Sequence, residues 1–371
     1  MQLFKLKTVL HKFNTFKEFA EEFKVNEKDL LITNEFIYDP FMKALDLKAH
    51  VIFQEKYGLG EPSDEMMNAI LKDAKAVDFD RIIAVGGGTV VDISKLFVLK
   101  GVDDVVDAFE KKIDLIKEKE LIIIPTTCGT GSEVTNISIA EIKSKQTKMG
   151  LAVDEILADT AVLIPEMIGT LPYKFYVYSS IDALIHAVES YVSPKANPYT
   201  KLFAKDAMRL IIDIYKNIVE KGPEYRLERL DDVLMASNYA GIAFGNAGVG
   251  AVHAMSYPLG GTYHVAHGEA NYQFFTEVFK FYYKKDPNGG IEELNAYLAE
   301  LLDCKNTEVY EKLEELLDKL LSRNPLHTYG MKEEEIEGFA DAVIKNQQRL
   351  LANNYVELTR DEIRDIYKKL F

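Results

Sequence analysis

Residues 81–95 read RIIAVGGGTVVDISK, which passes from an apolar run through three glycines into a segment with helical spacing. The run at 81–85 is continuously apolar after its first residue, as is typical of a strand covered on both faces of a sheet. Glycines at 86–88 let the chain turn sharply before the helical segment. The stretch therefore predicts one strand–helix unit of an α/β fold.

Similar apolar runs lie on both sides of this unit, at 29–33, 50–54, 121–125 and 161–165. Segments with helical spacing, such as 63–77 and 90–100, separate them. Strands that alternate with helices predict a mostly parallel sheet with helices on both faces. We expect this α/β domain to occupy residues 1–170.

The strand-like runs stop near residue 170. Residues 308–323 carry leucines at the i, i+3, i+4, i+7 spacing of an amphipathic helix, and Thr359 with Glu362 predicts a capping box before the last helix. Pro172 interrupts the preceding segment and is a reasonable boundary. We expect an all-helical domain over residues 171–371.

The composition excludes several classes of protein. The 371 residues are 47% hydrophobic and carry a net charge of −15, which suits a folded protein and opposes binding to nucleic acid or anionic membranes. No apolar run approaches the roughly 20 residues of a membrane span, and the N-terminus lacks the apolar core of a signal peptide. The two cysteines, Cys128 and Cys304, form no CxxC motif. We expect a cytoplasmic protein with neither nucleic-acid nor membrane partners.

The glycines of the opening stretch suggest a ligand. A helix N-terminus presents free N–H groups to an anion, and glycine allows close approach, so a pyrophosphate would fit there. The sequence is not the GxGxxG fingerprint, however. Alternatively, Thr89 and Asp92 form a helix cap and the glycines merely turn the chain.

A second loop of small polar residues follows the run at 121–125. It offers Thr126, Thr127, Thr130 and Ser132, whose hydroxyls suit phosphate, ribose or carboxamide contacts. The carboxyl ends of neighbouring parallel strands meet at one edge of a sheet. Two such loops on one chain therefore favour a nucleotide site. Cys128 lies in this loop without a histidine nearby in sequence, so we do not expect a nucleophile.

Residues 179–191, SSIDALIHAVESY, predict a helix with Ser179 or Ser180 as its N-cap. Asp182 and His186 are four residues apart and share one face. Burying a carboxylate beside an imidazole requires compensation, either from a partner on another helix or from a metal ion. A pair of this kind alone is more often a hydrogen-bonded core pair.

Three of the seven histidines lie between residues 253 and 267. His253 and His267 flank PLGG (258–261), where we expect a helix to end and the chain to reverse. With Asp182 and His186 they would give one oxygen and three nitrogen ligands, a set suited to Fe²⁺, Zn²⁺ or another first-row ion. His264 is a third candidate, and spacing alone leaves open which two of the three histidines bind.

Four co-linear motifs make the chain recognisable: GGGTVVDISK (86–95), PTTCGTGSEVT (125–135), DALIHAVESYVS (182–193) and AGIAFGNAGVGAVHAMSYPLGG (240–261). Together they resemble the iron-containing (group III) alcohol dehydrogenases. The resemblance implies a dehydroquinate synthase-like architecture, with an N-terminal dinucleotide-binding domain, a helical C-terminal domain and a metal in the cleft between them.

The resemblance also implies roles for individual residues. The metal ligands would be Asp182, His186, His253 and His267. The pyrophosphate would lie on Gly86, Gly87, Gly88 and Thr89, with Asp92 shaping that loop. The nicotinamide side would be lined by Thr126, Thr127, Thr130 and Ser132, with Lys148 near the cofactor.

Two departures from the family pattern bear on specificity and on proton movement. Asn34 occupies a position that is often an Asp favouring NAD, so we expect NAD without excluding NADP. Tyr257 stands where the family commonly has a His near the nicotinamide; its ordinary pKa near 10 makes it a poorer proton shuttle at neutral pH. We name His264 and Tyr257 as candidates for relaying the hydroxyl proton.

The segments QEKYGLGEPSDEM (54–66) and QQRLLANNY (347–355) resemble a subgroup that interconverts 4-hydroxybutyrate and succinic semialdehyde. The resemblance implies that reaction, with NAD and Fe²⁺ as cofactors and a homodimer as the assembly. The alternatives are another primary alcohol, such as 1,3-propanediol, butanol or lactaldehyde, and more remotely a dehydroquinate synthase-like lyase or a non-catalytic binding protein.

Overall fold

The computed structural model describes residues 2–145 and 147–371. Its contacts divide the chain into two compact units. One is Leu6–Leu171; the other is Pro172–Phe371 together with the N-terminal residues up to Lys5. The residues up to Lys5 were expected in the α/β domain (1–170) but group with the helical unit. The Lys5 backbone N–H donates to Asn246 Oδ1 there (2.7 Å).

The first unit is built on a parallel sheet. Its described strands are β1 (Val9–Lys12), β2 (Asp29–Thr33), β3 (His50–Phe53), β4 (Arg81–Gly86), β5 (Glu120–Pro125), β6 (Ile137–Ile142), β7 (Thr147–Ala152) and β8 (Thr160–Leu163). Six of these pair in the order β1-β8-β5-β4-β2-β3, and every pair is parallel. The helices described here are α1 (Phe16–Glu22), α2 (Glu35–Phe41), α3 (Asp64–Ala74), α4 (Gly88–Leu96) and α5 (Val105–Phe109).

The continuous apolar runs are explained by burial on both faces of the sheet. Along β4, Ile82 and Ala84 join one core cluster, whereas Ile83 and Val85 join the cluster on the opposite face. Successive side chains of a strand point to opposite faces, so a strand covered on both sides needs apolar residues throughout. The expected parallel α/β fold is confirmed.

Two parts of the first unit were not expected from the sequence. The edge strand β1 exposes all four residues and lacks an apolar run. The strands β6 and β7 form an antiparallel hairpin outside the main sheet. Both escape a search for continuous hydrophobicity because neither is covered on both faces.

The second unit is helical. Its described helices are α6 (Tyr173–Val192), α7 (Pro198–Lys221), α8 (Leu230–Ala247), α9 (Ala251–Tyr263), α10 (His267–Lys285), α11 (Gly290–Leu302), α12 (Val309–Leu320), α13 (Ile336–Asn346), α14 (Gln348–Leu351) and α15 (Arg360–Leu370). The expected capping box of Thr359 and Glu362 starts α15. None of the described helices is both long and apolar enough to cross a membrane.

Two helix boundaries differ from the sequence-based expectation. Helix α6 begins after Pro172, not at Ser179 or Ser180, and the Ser180 hydroxyl donates to Tyr176 O within the helix (2.9 Å). Helix α9 does not end at PLGG but continues past Pro258 to Tyr263, and His264 then takes a left-handed conformation. The reversal between His253 and His267 therefore occurs about one turn later than expected.

Candidate functional site

The glycine loop lies at the end of β4, where Gly87 caps α4. A Cβ added to Gly87 would stand 3.3 Å from Thr127 Cγ2, and one added to Gly88 would stand 3.4 Å from Thr130 Cγ2. Two of the glycines expected at the pyrophosphate thus lie beside two of the threonines expected at the nicotinamide. Their missing side chains let the two loops approach each other at the carboxyl edge of β4 and β5.

The other residues predicted for this site lie in or near the two loops, and several of them form hydrogen bonds or ion pairs there. The Thr89 hydroxyl donates to Gly60 O (2.9 Å). Half-buried Asp92 accepts from the Ser132 hydroxyl (3.1 Å), and Thr126 is buried just after β5. Lys148, on β7, forms an ion pair with Glu61. Asn34 caps α2, at the neighbouring strand end. Their contacts with a cofactor stay predictions.

Sequence reasoning missed Lys95, which links the last turn of α4 to the segment that follows the second loop. Its side chain is fully buried, and its ammonium donates to Ser132 Oγ (2.7 Å), Thr135 Oγ1 (3.2 Å) and Ile137 O (2.7 Å). Burial lowers the pKa of Lys95 to about 8 and raises the pKa of Asp92 to about 6. A lysine three residues after an aspartate in an otherwise apolar helix was the available signal.

We expect Lys95→Met to lower the free energy of unfolding by about 3 kcal/mol, because it removes the three hydrogen bonds of the buried ammonium and the positive charge that acts on half-buried Asp92. Urea titration followed by far-UV circular dichroism measures this loss. The matched control is Lys100→Met, which removes an exposed lysine just after the same helix. Equal effects of the two substitutions would show that the buried lysine has no special role in stability.

The four residues predicted to bind metal converge in the helical unit. Asp182 and His186 lie one turn apart on α6, His253 lies in the first turn of α9, and His267 is the first residue of α10. One ligand atom from each lies within 4.8 Å of all the others. The first three are buried, whereas the His267 side chain is 34% exposed. The cluster therefore has one side open to a guest molecule.

The distances suit a tetrahedral ion. Metal–nitrogen bonds of 2.0–2.1 Å place tetrahedral ligand atoms about 3.4 Å apart. Here His253 Nε2 is 3.0 Å from His186 Nε2 and 3.7 Å from Asp182 Oδ1, and His267 Nε2 is 3.8 Å from the same oxygen. An N₃O set without sulfur suits Fe²⁺ or Zn²⁺. The residues present fit a divalent metal, and their role as ligands stays a prediction.

The surroundings keep Asp182 ionised. Burial acts to raise its pKa, but the three imidazoles and the Asn271 amide outweigh burial, and the pKa lies below its ordinary value. Asn271 Nδ2 donates to Asp182 Oδ1 (2.7 Å). A carboxylate held in its charged form within a core is a suitable ligand for a cation.

Glu189 orients His253 from behind the cluster, a role that sequence reasoning also missed. Its buried carboxylate lies 2.6 Å from His253 Nδ1 and accepts from the Val252 backbone N–H (2.8 Å). With Nδ1 donating to the carboxylate, a neutral His253 presents the lone pair of Nε2 to the cluster. The signal was present in the sequence, since Glu189 follows His186 by three residues on the same apolar helix.

We expect Glu189→Gln to weaken divalent-metal binding by about 10- to 100-fold, the usual effect of removing a partner that orients a ligand. The native carboxylate faces two donors, His253 Nδ1 and the Val252 N–H, whereas the glutamine amide keeps only one acceptor oxygen. Competition with a coloured chelator measures the affinity, and circular dichroism checks the fold. Glu220→Gln, at an exposed position of α7, is the control. Unchanged affinity in the first variant would contradict the orienting role.

The two candidate proton relays lie differently with respect to the cluster. The half-buried Tyr257 ring is 6.3 Å from the His267 ring, measured between centroids. His264 is exposed at the end of α9 and is not among the four residues that converge. The structure thus brings His253 and His267 to the cluster and leaves out the third histidine that spacing had allowed.

Comparison with known families agrees with this geometry. Residues 7–165 match the model described as iron-containing alcohol dehydrogenase, and residues 176–371 match the C-terminal model of the Fe-containing alcohol dehydrogenase family. The chain belongs to the iron-containing alcohol dehydrogenase family. The resemblance stated from the four motifs is therefore confirmed.

Relatives within the iron-containing alcohol dehydrogenase family cover much or all of the chain. It is 60% identical to the 4-hydroxybutyrate dehydrogenase of Clostridium kluyveri over 100% of both chains. It is 35% identical to long-chain-alcohol dehydrogenase 1 of Geobacillus thermodenitrificans over 84% of this chain and 80% of that one. The crystal structure of sulfoacetaldehyde reductase from Bifidobacterium kashiwanohense, in complex with NAD⁺, superposes with a TM-score of 0.86 at 22% identity, covering 100% and 99% of the two chains. That similarity supports the fold.

Proposed function

We propose that the chain interconverts 4-hydroxybutyrate and succinic semialdehyde, using NAD and a divalent metal, most simply Fe²⁺. The observation that carries this proposal is the 60% identity with the Clostridium kluyveri enzyme over the full length of both chains. The converging Asp182, His186, His253 and His267 and the paired small-residue loops support it, since they supply places for the two cofactors.

Asp182, His186, His253 and His267 would hold the metal. When bound there, a divalent ion supplies Lewis-acid polarisation of an alcohol or carbonyl oxygen. The protein's own contribution is to fix the donors: α6 carries two of them one turn apart, Glu189 orients His253, and Asn271 holds the carboxylate. The partly exposed His267 leaves one side accessible to the substrate.

The glycine loop would hold the dinucleotide. We assign the pyrophosphate to Gly86, Gly87 and Gly88 with the backbone of Thr89, at the N-terminus of α4. When bound, the nicotinamide donates or accepts the hydride. We assign the nicotinamide side to the 126–132 loop, with Thr127 and Thr130 as its half-buried hydroxyls and Lys148 nearby. Thr126, Ser132 and Asp92 would shape that loop from within.

Reduction of the aldehyde adds a hydride to its carbonyl carbon and a proton to its oxygen. The proton must come from a group near the reacting oxygen. We assign the relay to Tyr257 and His264; Tyr257 is supported by its closeness to His267. A phenol hydroxyl can donate a hydrogen bond to the oxygen and receive a proton in turn from solvent.

The test is an NADH-linked assay of protein purified without oxygen and loaded with Fe²⁺. Succinic semialdehyde is compared with butyraldehyde, 3-hydroxypropanal and lactaldehyde at equal concentrations. We expect kcat/KM to be highest for succinic semialdehyde. A clear preference for butyraldehyde would overturn the substrate assignment, while no turnover of any aldehyde with either Fe²⁺ or Zn²⁺ would overturn the enzyme assignment.

The second candidate is a dehydrogenase for another primary alcohol, which is favoured by the 35% identity with a long-chain-alcohol dehydrogenase. The same assay separates the two. A dehydroquinate synthase-like lyase or a non-catalytic binding protein would turn over none of the aldehydes.

We further propose a homodimer in the cytoplasm. The exposed residues of the edge strand β1 support self-association, because a sheet edge presents unpaired backbone groups to another strand. Neither Cys128 nor Cys304 forms a disulfide, which fits a reducing compartment. Light scattering coupled to size-exclusion chromatography should give a mass near twice 42.0 kDa.

A further inference from the structure

Glu55 places a carboxylate at the edge of the sheet beside Asn34. Its Oε2 accepts from Asn34 Nδ2 (3.0 Å), and its Oε1 accepts from the Glu35 backbone N–H (2.6 Å). Asn34 directly follows β2, and Glu55 comes shortly after the end of β3. Because Thr33 pairs with Phe53 at the ends of these two strands, Asn34 and Glu55 lie at the same edge of the sheet. In the described part of the chain Glu55 has no cationic partner, and its side chain is only partly buried.

The sheet order places this carboxylate next to the glycine loop. β2 pairs directly with β4, whose end carries Gly86, and β3 pairs with the other side of β2. All three strands are parallel, so their carboxyl ends share one edge. In dinucleotide-binding sheets, the pyrophosphate lies at the glycine loop and an acidic side chain at a neighbouring strand end binds the adenine ribose.

Asn34 itself is poorly suited to select between the two dinucleotides. It is uncharged, it is buried, and its amide nitrogen already donates to Gln54 Oε1 (3.2 Å) and Glu55 Oε2. A 2′-phosphate is disfavoured by a nearby negative charge, which a neutral amide cannot provide. Two carboxylates lie at this edge, those of Glu35 and Glu55, and Glu55 is the one bonded to the Asn34 side chain.

We propose that Glu55 makes the chain specific for NAD over NADP, by accepting a hydrogen bond from the adenine ribose and repelling a 2′-phosphate. This inference rests on the proposed dinucleotide function. Glu55 would act as a specificity-determining residue, and Asn34 would position it.

The test compares NADH and NADPH binding, followed by the fluorescence of the reduced nicotinamide. We expect the wild-type protein to bind NADH at least about 100-fold more tightly than NADPH, and Glu55→Gln to narrow that ratio by about tenfold, chiefly through tighter NADPH binding. Glu55→Ala checks the result without the additional amide. The double variant Asn34→Asp/Glu55→Gln returns a carboxylate to the same edge and should restore the ratio.

Glu22→Gln is the matched control, because it removes the same charge at the end of α1, before the amino end of β2. An unchanged ratio in both Glu55 variants, with NADH binding intact, would overturn the role of Glu55 and leave the proposed function standing. Wild-type preference for NADPH would also overturn it. Failure of the wild-type protein to bind either nucleotide would overturn the dinucleotide function itself.

Discussion

Asp182→Asn is expected to lower dehydrogenase activity by about a thousandfold and to remove most of the bound metal. Asp182 provides the single carboxylate among the four converging side chains, and its Oδ1 lies within 4 Å of both His253 Nε2 and His267 Nε2. Asparagine keeps the shape of the side chain but removes the negative charge. Losing several kcal/mol of charge stabilisation corresponds to a loss of that size in rate.

Metal content after anaerobic loading with Fe²⁺ and initial rates with NADH are the two measurements. A third is thermal unfolding, since an ion that binds the folded state should raise the midpoint of the wild-type protein and not that of the variant. Asp303→Asn is the control, because this exposed aspartate pairs with Lys216 and has a left-handed backbone that asparagine also tolerates. Full metal content and activity in Asp182→Asn would exclude the proposed centre.

The part of the fold that could be predicted from the sequence is the part buried on two faces. The runs at 29–33 and 81–85 are apolar because both faces of β2 and β4 are covered, and that pattern is visible without coordinates. The edge strand β1 and the β6–β7 hairpin were missed because exposure on one or both faces leaves them mixed in polarity. The extension of α9 through Pro258 was missed because tertiary packing overrides a local breaker signal.

The candidate site, too, could be predicted from the sequence only in part. Residue type and spacing indicated Asp182 and His186 on one helical face, but left His253, His264 and His267 as alternatives. The family resemblance named His253 and His267, but spacing alone could not choose them, because the choice depends on where α9 ends and this depends on packing. The spacing of Glu189 after His186 marks it as a second buried acid on the same helix, but its role on His253 is visible only once the orientation of the imidazole is known.

Gly268→Ala is expected to lower activity by at least about 100-fold without touching a ligand atom. Gly268 is the second residue of α10, and a Cβ added there would lie 2.5 Å from the Tyr178 carbonyl oxygen and 3.0 Å from its carbon. These are backbone atoms of α6, so no side-chain rotation relieves the clash. The start of α10 must move away from α6, which carries His267 away from Asp182, and displacements near 1 Å cost about this much in rate.

The same overlap should lower the free energy of unfolding by about 1–3 kcal/mol, the usual range for overpacking. Gly338→Ala supplies the contrast. This glycine lies within α13, where no atom stands within 4 Å of an added Cβ, so the substitution should raise stability by about 0.5–1 kcal/mol. Metal content, kinetics and urea unfolding of the two variants distinguish displacement of His267 from a general loss of stability. If Gly268→Ala binds metal normally and turns over at the wild-type rate, the close approach of α10 to α6 does not position His267.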